Sequence, residues 1–294
     1  MCKFLTDHLG VPRSNIRLLL SPSSTSGASG DCAPATRDHI ISSLYEHLRD
    51  NPDIATGDKL LFYFAGHGAR YYSDDDRPNV IEALCPVDRR VDLGHPENGV
   101  FDISVREIVL FLRDLRFVKG DCITVILDCG FWGSTVRSAR PDPLGQARGL
   151  SSLTGVSARL LLQTADRECR RRGVTTTVLD ADPLDPPGVV LQACEPRQLA
   201  RERAFSDIST NFHGTFTHSL LAVLLSDESN NKTYTEICEE VIRLMPTLDG
   251  VPLQTPGVRG ERADCPLWYG FGQSDRCETT QAVAFDGVGA PTSV

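Results

Sequence analysis

The sequence predicts an α/β fold built on a largely parallel sheet. Three apolar runs of strand length support this class, at residues 60–64, 121–128 and 188–194. Apolar side chains at helical spacing predict a helix over residues 36–50, ahead of the first run, and another over 104–117, between the first two runs. Alternating strands and helices are typical of a parallel sheet that helices cover on its faces. We therefore expect an α/β sandwich.

Shorter segments complete the predicted order. Residues 4–10 have the pattern of a helix end, and residues 16–20 that of a short strand. Helices are predicted over residues 215–226 and 233–244, and a last short strand over 267–271.

Two regions carry no sustained periodic pattern. Residues 134–187 are rich in Arg, Pro, Gly and Asp, which predicts a long and mostly irregular loop. Residues 275–294 are predicted to form a disordered tail, so the folded domain is expected to span residues 1–274.

Composition describes an ordinary globular protein, with 40% hydrophobic and 23% charged residues in 294. A net charge of −9 argues against nucleic acid or anionic membranes as partners. The first residues do not open a secretory signal, and the ten cysteines are scattered without C-x-x-C pairs. We expect reduced thiols and a cytoplasmic location.

Two predicted strands end in turns that carry residues able to take part in catalysis. Residues 58–68 read D-K-L-L-F-Y-F-A-G-H-G, which places His67 between two glycines at the end of a strand. The strand over 121–128 ends at Asp128 and is followed by C-G-F-W-G. Because the carboxyl ends of parallel strands meet at one edge of a sheet, we expect both turns to face one crevice.

These turns resemble the paired motifs of caspase-like cysteine peptidases, and of metacaspases in particular. The family's motifs read F-x-[FY]-[SA]-G-H-G and D-x-C-H-S-G, beside F-Y-F-A-G-H-G and I-T-V-I-L-D-C-G here. Four further stretches, at residues 50–54, 84–88, 214–217 and 254–256, resemble fungal metacaspase-like proteins. The resemblance implies a caspase-like α/β sandwich and an endopeptidase that cuts after Arg or Lys.

The resemblance also implies roles for single residues. His67 matches the catalytic histidine, and Asp128 matches the carboxylate that binds a substrate Arg or Lys. The backbone N–H groups of Gly68 and Gly130 are candidate oxyanion donors.

The chain departs from the family at the nucleophile. Gly130 stands where the family has its cysteine, and Cys129 comes one residue earlier. Successive side chains leave a strand on opposite faces, so the Cys129 thiol is expected to point away from His67, as a buried apolar side chain. A shift of the turn at Gly130 is the alternative that would bring it back. Cys194, in Q-A-C, is interpreted as core because no glycine follows it.

The family's first strand is missing ahead of residue 4, and its place lies between the strands at 16–20 and 60–64. That loss would leave unpaired backbone on both sides. Either the sequence is truncated, which we favour, or the remaining strands pair differently.

Many metacaspases need calcium. Five acidic residues lie near the corresponding region, but a solvated acidic loop is the favoured interpretation, and no cofactor or metal is predicted: Asp74, Asp75, Asp76, Glu82 and Asp88. Several arginines lie where family members are cut, or belong to a basic loop: Arg140, Arg148, Arg159, Arg170, Arg171 and Arg172.

Two functional hypotheses follow. By resemblance the chain is a cysteine endopeptidase with His67 as base and Cys129 as a displaced nucleophile. By the residues at the nucleophile position, it is instead a pseudoenzyme that binds a peptide or protein, including active relatives. We favour the pseudoenzyme, because Gly130 has no side chain with which to attack a carbonyl.

Overall fold

The computed structural model describes residues 1–21, 32–72, 80–92, 94–95, 98–131, 145–174, 186–204, 212–226, 232–269 and 281–286. Its strands are, in chain order, β1 (Ile16–Leu20), β2 (Cys32–Pro34), β3 (Leu60–Ala65), β4 (Gly68–Tyr72), β5 (Val80–Leu84), β6 (Ile103–Ser104), β7 (Ile123–Asp128), β8 (Gln146–Ala147), β9 (Gly149–Leu150), β10 (Val189–Gln192), β11 (Arg201–Ala204), β12 (Phe212–Gly214), β13 (Thr247–Leu248), β14 (Val251–Pro252), β15 (Gly257–Arg259) and β16 (Gln281–Asp286).

The α-helices of the same ranges are α1 (Cys2–Asp7), α2 (Arg37–Ser43), α3 (Val105–Lys119), α4 (Ala158–Arg171), α5 (Thr215–Leu224) and α6 (Tyr234–Leu244). Helix α2 continues as a π-helical segment over Leu44–Arg49, and short 3-10 turns cover Arg13–Asn15 and Leu267–Tyr269. None of the described helices has the length and apolar composition that a membrane crossing requires.

The central sheet runs in the order β15–β10–β7–β3–β16–β1–β2. Strand β15 is antiparallel to β10, and the other neighbours are parallel. The predicted α/β fold with a mainly parallel sheet is confirmed. A second sheet, β6–β5–β4–β9, continues from the end of β3 through the turn at His67.

Alternation along the strands divides the core into two layers. In β3, Leu60, Phe62 and Phe64 face a core shared with α2 and α3. Leu61 and Tyr63 face a second core, shared with α1, α5 and α6. Each fully buried large apolar side chain contributes about 1.5–3 kcal/mol, so both faces hold the helices in place.

The predicted gap in the sheet is filled. Strand β16 lies between β1 and β3 and pairs in parallel with both, where the missing first strand was expected to leave unpaired backbone. Ala282 and Val283 are fully buried, one in each core layer. The prediction of a disordered tail over 275–294 is therefore wrong for residues 281–286. A short apolar strand can pair with the two edges although it comes from the far end of the sequence.

Two further predictions need correction. The loop predicted over 134–187 contains α4, on which Leu161, Ala165 and Cys169 are buried at four-residue spacing. Its many arginines concealed this stripe, since most of them lie on the solvent side. The last predicted strand, at 267–271, is a 3-10 turn over Leu267–Tyr269.

Candidate functional site

The histidine turn joins β3 to β4. His67 is half-buried there, and its carbonyl oxygen accepts a hydrogen bond from the Cys85 N–H at 2.9 Å. A Cβ atom on Gly68 would lie 2.7 Å from the carbonyl oxygen of Gly130 and 2.7 Å from Phe131 Cδ1. Gly68 is thus needed for the close approach of this turn to the end of β7. The two predicted turns lie side by side.

Asp128 ends β7 and is completely buried. Its Oδ2 accepts hydrogen bonds from the Thr217 N–H at 3.2 Å and from the Thr217 hydroxyl at 2.5 Å. The same oxygen lies 3.1 Å from Arg148 Nη1. Its Oδ1 is buried without a hydrogen-bond partner among the described residues. The carboxylate that was predicted to hold a substrate arginine therefore contacts an arginine of its own chain.

Cys129 packs on the opposite face from Asp128. It belongs to the same core layer as Val125 and Leu127, whereas Thr217, the partner of Asp128, lies on α5 across the sheet. Asp128 and Cys129 therefore lie on opposite faces of the sheet, as alternation along an extended backbone requires. Cys129 is 3% exposed, and burial raises the pKa of its thiol well above the ordinary value. A thiol in this state is a poor nucleophile, because the thiolate is the reactive form.

Gly130 stands at the family's nucleophile position and is tightly enclosed. A Cβ atom there would lie 2.8 Å from the backbone nitrogen of Ala200, so a side chain would require the backbone just before β11 to move. The Gly130 N–H donates to the carbonyl oxygen of Arg148 at 3.0 Å. The Gly68 N–H donates to the same oxygen at 3.3 Å. Both predicted oxyanion donors therefore share one acceptor.

Arg148 connects these groups, with a side chain that is 1% exposed. Its Nη1 donates to the Asp128 carbonyl oxygen at 2.9 Å, and its Nε donates to Glu202 Oε2 at 3.1 Å. Its own N–H donates to the Ala200 carbonyl oxygen at 2.8 Å. Burial by itself lowers the pKa of the guanidinium, but the carboxylates of Asp128 and Glu202 outweigh burial and raise that pKa.

Sequence reasoning assigned no role to Glu202 or Thr217, and it placed Arg148 only among the arginines of a region where family members are cut, or of a basic loop. Thr217 had a signal, since it lies in the stretch over 214–217 that resembles the family. Gly214 in the same stretch makes room for the ion pair, because a Cβ atom there would overlap Asp128 Oδ2. Arg148 and Asp128 are 20 residues apart in the sequence, and no periodicity links them.

The remaining predicted residues make other contacts or lie outside the described ranges. Cys194 is buried in the second core, as predicted, and burial raises the pKa of its thiol to about 12. Glu82 pairs with Arg70 at 2.7 Å, and Asp88 Oδ1 accepts from the Arg37 N–H at 2.8 Å.

The acidic run at residues 74–76 lies outside the described residues. So does Trp132, the tryptophan of the C-G-F-W-G stretch. Within the described ranges, no group of three or more His, Cys, Asp or Glu side chains could hold a metal ion. The expectation that the chain needs no metal stays a prediction.

The comparisons with known proteins bear on this cluster. Residues 1–138 match the family model described as "Metacaspase, peptidase C14 domain". This match supports a caspase-like protein. The matched part contains His67, Asp128, Cys129 and Gly130, and it ends before Arg148. No curated protein shows significant similarity to the chain.

The chain also resembles a solved structure. Protein GSU0716 from Geobacter sulfurreducens is 21% identical with a TM-score of 0.51, and the alignment covers 88% of this chain and 96% of that chain. At this identity the likeness concerns the fold, and it extends over nearly the whole of both chains.

Proposed function

We propose that this caspase-like chain is a pseudopeptidase, a scaffold that binds or regulates a protein partner without cutting it. The observation that carries the proposal is Gly130 at the nucleophile position. Covalent peptide hydrolysis needs a thiolate or hydroxyl beside a base, and glycine offers neither. Loss of the nucleophile costs about a millionfold in kcat in a well-studied protease.

The surroundings of Cys129 support the same proposal. Its thiol is buried beside Leu127, in the core layer away from Asp128 and Thr217, and burial raises its pKa. To attack a peptide held at Asp128, the thiol would have to leave the core and cross to the other face of the sheet. Reactive cysteines are instead partly exposed and lie in electropositive surroundings that lower their pKa.

The alternative is an active endopeptidase that uses Cys129 with His67 and cuts after Arg or Lys. The family match favours it, and so does the pairing of Asp128 with a guanidinium, the chemistry that an arginine-directed site needs. This alternative requires the turn after Asp128 to rearrange.

The partner class is a peptide or protein, which includes active relatives of the chain; nucleic acid and membranes are disfavoured by the net charge of −9. A cytoplasmic location, a fungal-type relationship and the absence of a cofactor are part of the same proposal. They rest on the scattered cysteines and on the stretches quoted above.

The decisive experiment is a turnover assay on the purified chain with fluorogenic peptides that contain Arg or Lys, with and without calcium. We expect no turnover above buffer. Cys129→Ala and His67→Ala are the matched controls. Turnover that both substitutions abolish would establish the endopeptidase instead, whereas turnover that neither changes would come from a contaminating protease.

A further inference from the structure

The extended segment over residues 146–150 lies between two other strands. On one side β8 pairs with β11, with Ala147 opposite Arg201. On the other side β9 pairs in parallel with β4, with Gly149 opposite Gly68. The segment thus crosses the edge of the sheet at the histidine turn and is hydrogen-bonded along both flanks. Peptides that bind by strand addition are held by this kind of main-chain pairing.

Arg148 is the centre of the segment, and both its backbone and its guanidinium make polar contacts. Its N–H donates to Ala200, its carbonyl oxygen accepts from Gly68 and Gly130, and its guanidinium meets Asp128. A substrate arginine would need the same groups, namely a carboxylate for its side chain and two N–H donors for the carbonyl oxygen under attack.

We infer that Arg148 occupies the arginine site at Asp128 as an internal ligand, with residues 146–150 in the place of a bound peptide. The inference rests on the proposed function, because Gly130 leaves the peptide bond after Arg148 without a nucleophile. While the segment stays in place, the site at Asp128 is closed to external arginyl peptides. A partner must then bind elsewhere or displace the segment.

An ion pair by itself would not require this arrangement. Buried ion pairs are held by side-chain geometry, and hydrophobic residues can often replace them without loss of stability. Here the backbone carbonyl of Arg148 also accepts two N–H groups, from Gly68 at 3.3 Å and from Gly130 at 3.0 Å. These donors come from two different turns that converge on one oxygen, which is the geometry of an oxyanion site.

The first test removes the occupant's side chain. Arg148→Ala leaves a cavity beside Asp128 and Glu202, and ethylguanidinium is the probe that should fill it. We expect saturable binding that raises the melting temperature of Arg148→Ala by about 3 °C or more at ten times the Kd, with no such shift in the wild type. Propylammonium, which lacks the planar fork, and the double variant Arg148→Ala/Asp128→Asn are the controls and should give much smaller shifts.

If Arg148→Ala does not fold without ethylguanidinium, the variant is refolded at increasing ethylguanidinium concentrations. Near-ultraviolet circular dichroism then follows the recovery of its tertiary structure. Saturable recovery of the native signal is then the expected result. The absence of any saturable response to ethylguanidinium, in the native or the refolding format, would overturn the inference.

The second test asks whether Arg148 is placed as a substrate residue and not only as an ion-pair partner. Gly130→Cys supplies a thiol at the position whose N–H contacts the Arg148 carbonyl. Its sulfur would form a bond to the Arg148 carbonyl carbon and break the bond to Gly149, while the thiol proton passes through His67 to the leaving amine. Water then hydrolyses the thioester and leaves a carboxylate on Arg148.

We expect Gly130→Cys to cut itself into fragments of residues 1–148 and 149–294, identified by intact mass. The same variant with His67→Ala or Arg148→Ala should be cut at least ten times more slowly. A Gly130→Cys protein that unfolds cooperatively yet stays intact would overturn the substrate-like placement. Should the added side chain prevent folding, the ethylguanidinium result decides alone.

The two proposals fail differently. Turnover of external peptides by the wild-type chain would contradict the pseudopeptidase and leave the ethylguanidinium result unchanged. A failure of ethylguanidinium to bind Arg148→Ala would contradict the internal-ligand inference. It would not affect the pseudopeptidase proposal, which depends on the missing nucleophile.

Discussion

The hydroxyl oxygens of Tyr63 and Thr217 are 2.9 Å apart between β3 and α5. The Thr217 hydroxyl donates its proton to Asp128 Oδ2 at 2.5 Å, so Tyr63 must donate to Thr217. This buried relay connects the carboxylate of the candidate site to the second core layer. It also sets the side of the sheet on which Asp128 can act.

Removal of the middle of this relay should destabilise the protein. Thr217→Val removes a donor to the carboxylate and the acceptor of Tyr63, so we expect a loss of about 1–3 kcal/mol in the free energy of unfolding. Tyr63→Phe removes one neutral hydrogen bond and should cost about 0.5–1.5 kcal/mol. Urea unfolding of the two single variants and the double variant measures these costs.

The double variant provides the control, because the two hydroxyl groups are in contact. Its loss should be smaller than the sum of the single losses. Fully additive losses would mean that the two hydroxyl groups do not interact in solution.

Strand β16 should be essential for the central sheet. A chain that ends at residue 280 leaves β1 and β3 with unpaired edges in the middle of the sheet, and we expect it to lose cooperative unfolding. A synthetic peptide of residues 278–294 should restore it with saturable dependence on concentration. Circular dichroism during thermal unfolding is the measurement.

The matched control is the same peptide with Val283→Asp, because Val283 is completely buried and a carboxylate there would lie in the core. It should not restore the fold. If the shortened chain unfolds at the temperature of the full chain, β16 does not occupy the centre of the sheet.

The Cys129 thiol should resist alkylation over a wide range of pH. A raised pKa means that the neutral thiol persists to a higher pH, so the thiolate fraction at any pH is below that of an ordinary thiol. Glutathione should react faster with iodoacetamide as the pH rises from 7 to 9, through its ordinary pKa of about 8.5. Alkylation of Cys129 in the native protein should stay at least ten times slower than that of glutathione at both pH values.

The tryptic peptide over residues 120–137 also contains Cys122, so fragment-ion mass spectrometry assigns the alkylation to Cys129, with Cys129→Ser as the control. Full exposure in urea should restore ordinary reactivity and serves as the positive control. Rapid alkylation of the native thiol at pH 7 would show that it leaves the core, and would favour the endopeptidase alternative.

Local sequence patterns were enough to predict the strands and turns that surround the candidate site. The strand with Phe62 and Phe64 and the strand that ends at Asp128 are continuous apolar runs, which are typical of buried parallel strands. Glycines beside His67 and after Cys129 marked the turns. The opposite faces of Asp128 and Cys129 follow from a period of two, which every extended backbone obeys.

Two features follow only from contacts between distant parts of the chain: the arginine that pairs with Asp128 and the strand that fills the middle of the sheet. Arg148 reaches Asp128 across 20 positions, and β16 pairs Val283 with Phe62 across more than two hundred. Periodicity reports only which side of an element is apolar, and it is silent about which carboxylate a given arginine meets or which edge a strand joins. The tertiary structure decides both, because unpaired strand edges need a partner and the buried Asp128 carboxylate needs a counter-charge.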